Sequence, residues 1–386
     1  MKHLLKIAIA AAVACIVASC ASVRLNLPAN LTFESFGTYL DDTIPRLVNE
    51  RLPGIQIALI EGGELVYEKG FGLADKKLSA PLTSETIFQV ASVSKTVTAW
   101  AVLALAQGQK IDLDQPISAY VHRWTLPQSK YDAQGVTVRN ILAHRAGLSL
   151  HGYPGYAPGE RMPTIEQSLS GDNGTFFGFY KPGPVKLVRT PGSAFSYSGG
   201  GYTLLQLMIE EVSGEGFSDF VRKTVLLPAR MSSSSFEYTP DVERRVSKAY
   251  SMTGSLLPNY LFVEKAAAGL YTTAHDLARL LNELYRIKTD ATYNSALLSQ
   301  KCASLFYLDN PGVSEGRDAF GYLRTRENGQ IAIVEHDGAN QGWRCFYALE
   351  LSGGKGMVLL ANSDAGQDVV SKFLGVYKDL VRRKSS

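Results

Sequence analysis

Strand-like runs sit at both ends of this chain and helical periodicity fills its middle. That division constrains the fold more than any other feature. Near the front, residues 55–60, apolar except for Gln56, read as a buried strand, Gly62-Gly63 as a hairpin turn, and 65–68 as the returning strand. Near the end, 321–326, 331–335, 344–351 and 356–361 read as strands, and a helical pattern over 367–383 closes the chain. Strands so far apart in sequence satisfy their backbones most simply by joining one sheet. The expected fold class is therefore mixed α/β (α+β). An antiparallel sheet is built from the N- and C-terminal segments and flanked by helices, and a mainly helical domain is inserted between them. The sheet part is expected over about 33–115 and 265–383, and the insertion over about 116–264.

Further readings follow from local pattern. Residues 33–51 have the apolar spacing of a helix, and 136–148 read as an amphipathic helix ending near Gly147 with His144 on it. A histidine so placed is expected to be a satisfied structural residue. Gly70-Phe71-Gly72 opens like a dinucleotide loop, but Asp75 stands where the last glycine belongs, so a turn is expected there. Residues 151–196 are rich in Gly, Pro, Tyr and Phe with little regular pattern. A stretch that long is expected to form a lid or rim.

With 386 residues, 45% apolar and 19% charged, the chain can bury a full core and is neither disordered nor a multispan membrane protein. The net charge is +3, with two of those charges on Lys2 and Lys6. No basic tract appears, so nucleic acid is not an expected partner. Lys2 and Lys6, the apolar run 7–17 and the small residues before Cys20 read as a signal segment over 1–19. Val17-Ala18-Ser19-Cys20 has the form of a bacterial lipobox, which makes Cys20 a lipidation site, 20–32 a tether and a membrane a partner through the lipid. An extracytoplasmic location, on the periplasmic face of a bacterial membrane, is expected. Cys302 and Cys345 lie far apart and are expected as two separate buried thiols. The six histidines lack paired spacing, so no metal and no cofactor is expected.

The chemistry concentrates at Ser92-Val93-Ser94-Lys95, where a polar run gives way to a helical pattern that stops at Gly108. Positions i and i+3 share a helix face, so Ser92 and Lys95 point the same way. A serine hydroxyl becomes a nucleophile when a base takes its proton, and a neutral lysine can be that base. Ser352-Gly353-Gly354-Lys355 has identical spacing but lies in a glycine turn between two strand-like runs. It is expected to be a surface hairpin turn with no role.

Two further motifs follow in order: Tyr197-Ser198-Gly199 and His336-Asp337-Gly338. With Ser92-Val93-Ser94-Lys95 they resemble the penicillin-recognising serine hydrolases, comprising class C β-lactamases, serine D-alanyl-D-alanine carboxypeptidases and their esterase relatives. The runs 139–144, 268–273 and 338–342 are similar too, so the resemblance covers nearly all of the chain after residue 33. It implies a β-lactamase/transpeptidase-like fold and an acyl-enzyme on Ser92, with Lys95 and Tyr197 sharing the proton work. It also implies an oxyanion site between the backbone N–H groups of Ser92 and Ala339, and substrate contacts from His336, Gly338, Asn340 and Gly199. Either lysine or tyrosine must lose about three pKa units to act as base at neutral pH, roughly 4 kcal/mol of environment. At this level both remain candidates.

Two departures bear on substrate. Gly199 stands where the family often has asparagine, and His336 where β-lactamases carry lysine, so an amide contact and a fixed cation are both missing. A small ester or peptide substrate, cell-wall peptide included, is expected, with only feeble β-lactam turnover. Two rivals stand beside this reading. One is a non-catalytic lipoprotein that holds cell-wall peptide or β-lactam on the same scaffold. The other is an α/β-hydrolase with Ser198 as nucleophile, since 196–200 is one residue off a Gly-x-Ser-x-Gly elbow.

Overall fold

A computed structural model of the chain describes residues 25–172, 182–308, 318–327 and 330–383. The signal segment, Cys20 and the first part of the tether lie outside the described residues. Eight strands form one sheet: β1 (Gly54–Glu61), β2 (Glu64–Asp75), β3 (Ala80–Pro81), β4 (Asp318–Ala319), β5 (Tyr322–Glu327), β6 (Gln330–Asn340), β7 (Trp343–Glu350) and β8 (Gly356–Ala361). Their order is β3-β2-β1-β8-β7-β6-β5-β4, and every pairing is antiparallel. The front and the back of the chain meet where β1 pairs with β8, from Ile55 opposite Ala361 to Ile60 opposite Gly356. The sheet is thus closed from both termini as expected.

The apolar run in β1 has to serve two faces, because successive side chains point to opposite sides. Ile55, Ile57 and Leu59 pack with helices α1 (Phe36–Leu47) and α5 (Gln367–Arg382). Ala58 and Ile60 face the other way, into the larger core around α2 (Ser94–Gln107), α3 (Gly199–Ser213) and α4 (Ala274–Thr289). α1 and α5 are amphipathic, with buried residues at helical spacing such as Phe36, Tyr39, Leu40, Thr43 and Ile44. α2 is different. Eleven of its 14 residues are buried, so it is a core helix packed on all sides. Gln56 is the polar exception on β1. Its amide donates to the Thr83 carbonyl at 2.8 Å and accepts from the Ala274 N–H at 2.6 Å, tying α4 to the sheet.

Between 116 and 264, the described residues add no strand to the large sheet. Cys302 and Cys345 are unbridged, as expected, but only Cys345 is buried and Cys302 is partly exposed; the 352–355 run is the β7–β8 turn, also as expected. Among the described residues no helix is long and apolar enough to cross a membrane.

Three local expectations need correction. The 136–148 helix is only Val138–Leu142, capped by the Thr137 side chain. Beyond it His144 takes φ +54° and Gly147 φ +70°, and the backbone turns away to bond 188–196 through the carbonyls of His144, Arg145 and Gly147. Ala146 and Leu148 keep the apolar rhythm because they stay buried, although the helix has ended. Gly70-Phe71-Gly72 is not a turn but part of β2. A Cβ on Gly72 would meet the Pro53 carbonyl at 2.1 Å, and one on Gly70 the Leu82 carbonyl at 2.6 Å, so these glycines permit close backbone approach. Finally, β6 runs on to Asn340 instead of stopping at 335, which puts the whole His336-Asp337-Gly338 motif inside a strand.

Candidate active site

Ser92 lies in a 3₁₀ turn, Ala91–Val93, that leads directly into α2. Ala91 before it holds φ +46°, a conformation that costs a non-glycine residue of order 1 kcal/mol. The turn is held in place by Ser94, whose hydroxyl donates to the Ala91 carbonyl at 2.6 Å and accepts from the Leu270 N–H at 2.9 Å. Lys95, in the first turn of α2, is 1% exposed. Its Nζ donates to Ser92 Oγ at 3.2 Å and to the Ala267 carbonyl at 2.7 Å.

Burial pulls the Lys95 pKa down to about 7, against the opposing charge of Asp337. That drop is on the order of 5 kcal/mol of destabilisation of the ammonium. The rings of Tyr197 and Tyr202 lie 4.9 and 5.7 Å from Nζ. Ring faces favour an ammonium by about 1–2 kcal/mol, too little to offset the desolvation. Tyr197 moves the other way. Burial, with Asp337 adding to it, holds its phenol above the ordinary range, and the neighbouring Ser92 hydroxyl opposes this only in part. The buried Tyr197 hydroxyl lies at a geometry short of a hydrogen bond. Of the two candidates left open by the sequence, the amine can therefore accept a proton at neutral pH and the phenol can donate one.

Tyr197 is clamped between imidazoles. His144 stacks on it at 4.2 Å and His151 lies across it at 4.8 Å between ring centres. His144 Nδ1 accepts the Ser198 N–H at 3.1 Å, which leaves the ring proton on Nε2. Burial keeps this imidazole neutral. His144 thus positions the segment that carries Tyr197, a structural role.

The opposite wall is β6. Gly338 has a clear reason to be glycine: a Cβ there would sit 2.4 Å from the Val90 carbonyl, in the turn that carries Ser92. Its neighbour Ala339 lines the cleft. His336 is buried and donates through Nδ1 to the Asp337 carbonyl at 2.6 Å. Burial brings its pKa to about 4, so it carries no charge at neutral pH. Asn340 donates to Gln89 Oε1 at 3.2 Å and to the Ala268 carbonyl at 3.3 Å, bracing the end of β6 as well as lining the cleft.

Between these walls is a cleft of about 320 Å³. It brings together Ser92, Lys95, Tyr197, His336, Ala339 and Asn340. Gly199 and Gly338 are not on its surface. Gly199 opens α3, donates its N–H to the His151 carbonyl at 3.0 Å, and would press a Cβ against that oxygen at 2.8 Å. The substrate contact expected of Gly199 is therefore not supported by its position. Ser198 is also accounted for. It is the α3 N-cap, accepting from the Gly201 N–H and donating to the Ser149 carbonyl at 2.7 Å. With an all-antiparallel sheet and no strand leading into it, the nucleophile-elbow reading of Ser198 fails.

Sequence reasoning did not single out His151, Tyr153, Phe195, Leu323 or Asp337, all of which line the cleft. The first three come from the aromatic-rich 151–196 stretch, and that composition was the available signal. Asp337 was passed over as the variable middle residue of its motif.

Comparison with known proteins places this geometry. A family model described as Beta-lactamase matches residues 40–376. Protein flp of Staphylococcus aureus strain N315 is 23% identical over 325 residues, which are 81% of this chain and 60% of that protein. The putative penicillin-binding protein PbpX of Bacillus subtilis strain 168 is 30% identical over 202 residues, 51% of this chain and 45% of that one. The chain thus spans about 60% or less of the length of these relatives. A class C beta-lactamase structure superposes with a TM-score of 0.69 at 21% identity, covering 94% of this chain and 100% of its own. FmtA from Staphylococcus aureus does so at 0.67 and 18% identity, covering 93% and 94%.

Proposed function

The chain belongs to the beta-lactamase family of serine hydrolases, penicillin-binding proteins among its relatives, and from that premise we propose that Ser92 is an acylating nucleophile for which Lys95 is the base. The observation that carries this is the buried Lys95 amine, 3.2 Å from Ser92 Oγ and with its pKa drawn to about 7. Ser92 Oγ attacks the carbonyl of an ester or amide as its proton passes to Lys95 Nζ. The backbone N–H groups of Ser92 and Ala339 receive the oxyanion. The protonated Tyr197 hydroxyl stands on the route by which a proton reaches the leaving alcohol or amine. Expulsion leaves an acyl-enzyme on Ser92. Water then attacks the acyl carbonyl, its proton passing through the amine–phenol pair to Ser92 Oγ as the Ser92–acyl bond breaks, which releases the acid and restores the serine.

The substrate is a short ester or a small peptide, cell-wall peptide included, and β-lactams are poor substrates. Two features support that preference: His336 is neutral where a fixed cation would hold a carboxylate, and Gly199 offers no amide side chain. The reaction takes place outside the cytoplasm, at a bacterial membrane to which Cys20 is anchored by lipid. The motif at 17–20 supports this part. Parallel assays with p-nitrophenyl esters, D-amino-acid peptides and nitrocefin test the reading, alongside labelling by a fluorophosphonate probe. Ester turnover and labelling that both disappear in Ser92→Ala are the expected result. Nitrocefin turnover rivalling the ester, or labelling that survives the substitution, would overturn it.

A further inference from the structure

Among the described residues that line the cleft, Asp337 is the one acidic side chain, and it is exposed. Asp337 and Ala339 are both exposed on the cleft face of β6, while His336, Gly338 and Asn340 between and beyond them are buried. Strand alternation explains this, because residues two apart share a face. Among the described residues the Asp337 side chain has no hydrogen-bond or ion-pair partner. The cationic candidates around it are weak. His336 is neutral, the His151 pKa is lowered by burial and by Lys95, and Lys95 is drawn to about 7. Among the described residues no arginine lines the cleft. The field of Asp337 reaches the reacting groups themselves, acting on Lys95, Tyr197, His151 and His336.

We propose that Asp337 is a specificity-determining residue, making the cleft select acyl donors that carry a cationic group a few bonds from the scissile carbonyl and reject those with an anion there. The inference rests on the Ser92 hydrolase reading and deepens it. Residues two apart on a strand are roughly 7 Å apart, so a charge near Asp337 lies about that far along β6 from the N–H of Ala339, where the oxyanion forms. An ammonium on a short acyl chain spans that distance. The carboxylate beside it gains a counter-ion, and among the described residues of the cleft only the partly protonated Lys95 competes for that role. A carboxylate-bearing donor meets like charge in a partly desolvated cleft instead.

The test uses three p-nitrophenyl esters of equal chain length ending in trimethylammonium, tert-butyl and sulfonate. They are assayed at low salt and a pH above the Lys95 titration, because removing Asp337 also shifts that amine. The trimethylammonium ester should exceed its neutral isostere by about tenfold in kcat/KM, and the sulfonate should fall below it. In Asp337→Asn the cationic preference should shrink to about twofold or less, and in Asp337→Lys it should invert. An identical charge preference in the parent and Asp337→Asn proteins would overturn the proposal. Binding of the matching amides to Ser92→Ala, read by calorimetry, tests the same selectivity without turnover. Tighter binding of the cationic amide supports the role of Asp337, and equal binding of all three overturns it. Loss of turnover in every ester would count against the Ser92 reading alone.

Discussion

The chain contains the same four-residue spacing twice, and the two copies have opposite fates. Ser92 and Lys95 straddle the start of a core helix, and the lysine amine is sealed among Ala267, Tyr197 and Tyr202. Ser352 and Lys355 straddle the β7–β8 turn, where the serine is exposed and the lysine extends to Glu61 at 3.8 Å and over the Phe33 ring. The difference lies in solvent. The Lys355 amine stays partly solvated beside Glu61, whereas Lys95, stripped of water beside a carbonyl, is pulled toward its neutral form. Spacing brings a hydroxyl and an amine to one side of the chain, but desolvation makes the pair reactive.

The comparison breaks most directly by substitution. Ser92→Ala or Lys95→Ala should lower acylation by a factor of about 10³ or more, whereas Ser352→Ala and Lys355→Ala should leave it within twofold or so of the parent, read as labelling rate. Labelling that depends on the second pair would erase the contrast. Gly338→Ala should be the next largest effect. A methyl group 2.4 Å from the Val90 carbonyl has to push β6 off the Ser92 turn, at a cost of about 1–3 kcal/mol in stability and a loss of about a hundredfold or more in kcat/KM.

The pH dependence sharpens it further. Because the Lys95 pKa is about 7, log(kcat/KM) for a neutral ester should rise with pH and level off above about that value, the amine being active when unprotonated. A plateau reached only near the ordinary lysine range of about 10 would remove Lys95 as base. The same group affects stability with a definite sign. Its pKa is depressed on folding, so between about 7 and 10 the unfolded chain binds more protons than the folded one, and stability should rise with pH through that window. Lys95→Met should therefore raise the thermal midpoint by a few degrees near pH 6, an advantage that shrinks toward pH 10. A pH-independent difference would mean that lysine burial is not what separates the two copies.

The smallest effect concerns surface and cap residues. Lys355→Ala should change stability by no more than about 1 kcal/mol, because its ion pair is partly solvated. Ser198→Ala should cost about 1–2 kcal/mol through the lost α3 cap, seen as a lower denaturation midpoint, while the protein still labels at Ser92.

Much of this was legible in sequence for a physical reason. The apolar run of β1 and the Gly62-Gly63 turn with φ of +60° and +80° are set by neighbours within a few positions. So were the sheet closed from both ends and the hydroxyl–amine pair at 92 and 95. Tertiary structure alone decided which lysine loses its water, because the groups around Lys95 come from 102, 107 and 172 positions away along the chain. It also ended the 138–142 helix early, since the carbonyls beyond it bond a segment more than forty residues on. And it turned Asp337 into the cleft, because the register of β6 on β7 sets which alternate residues face inward. Periodicity is a local property that a linear pattern can carry. Burial and the field inside a cleft depend on what distant segments bring to the same place.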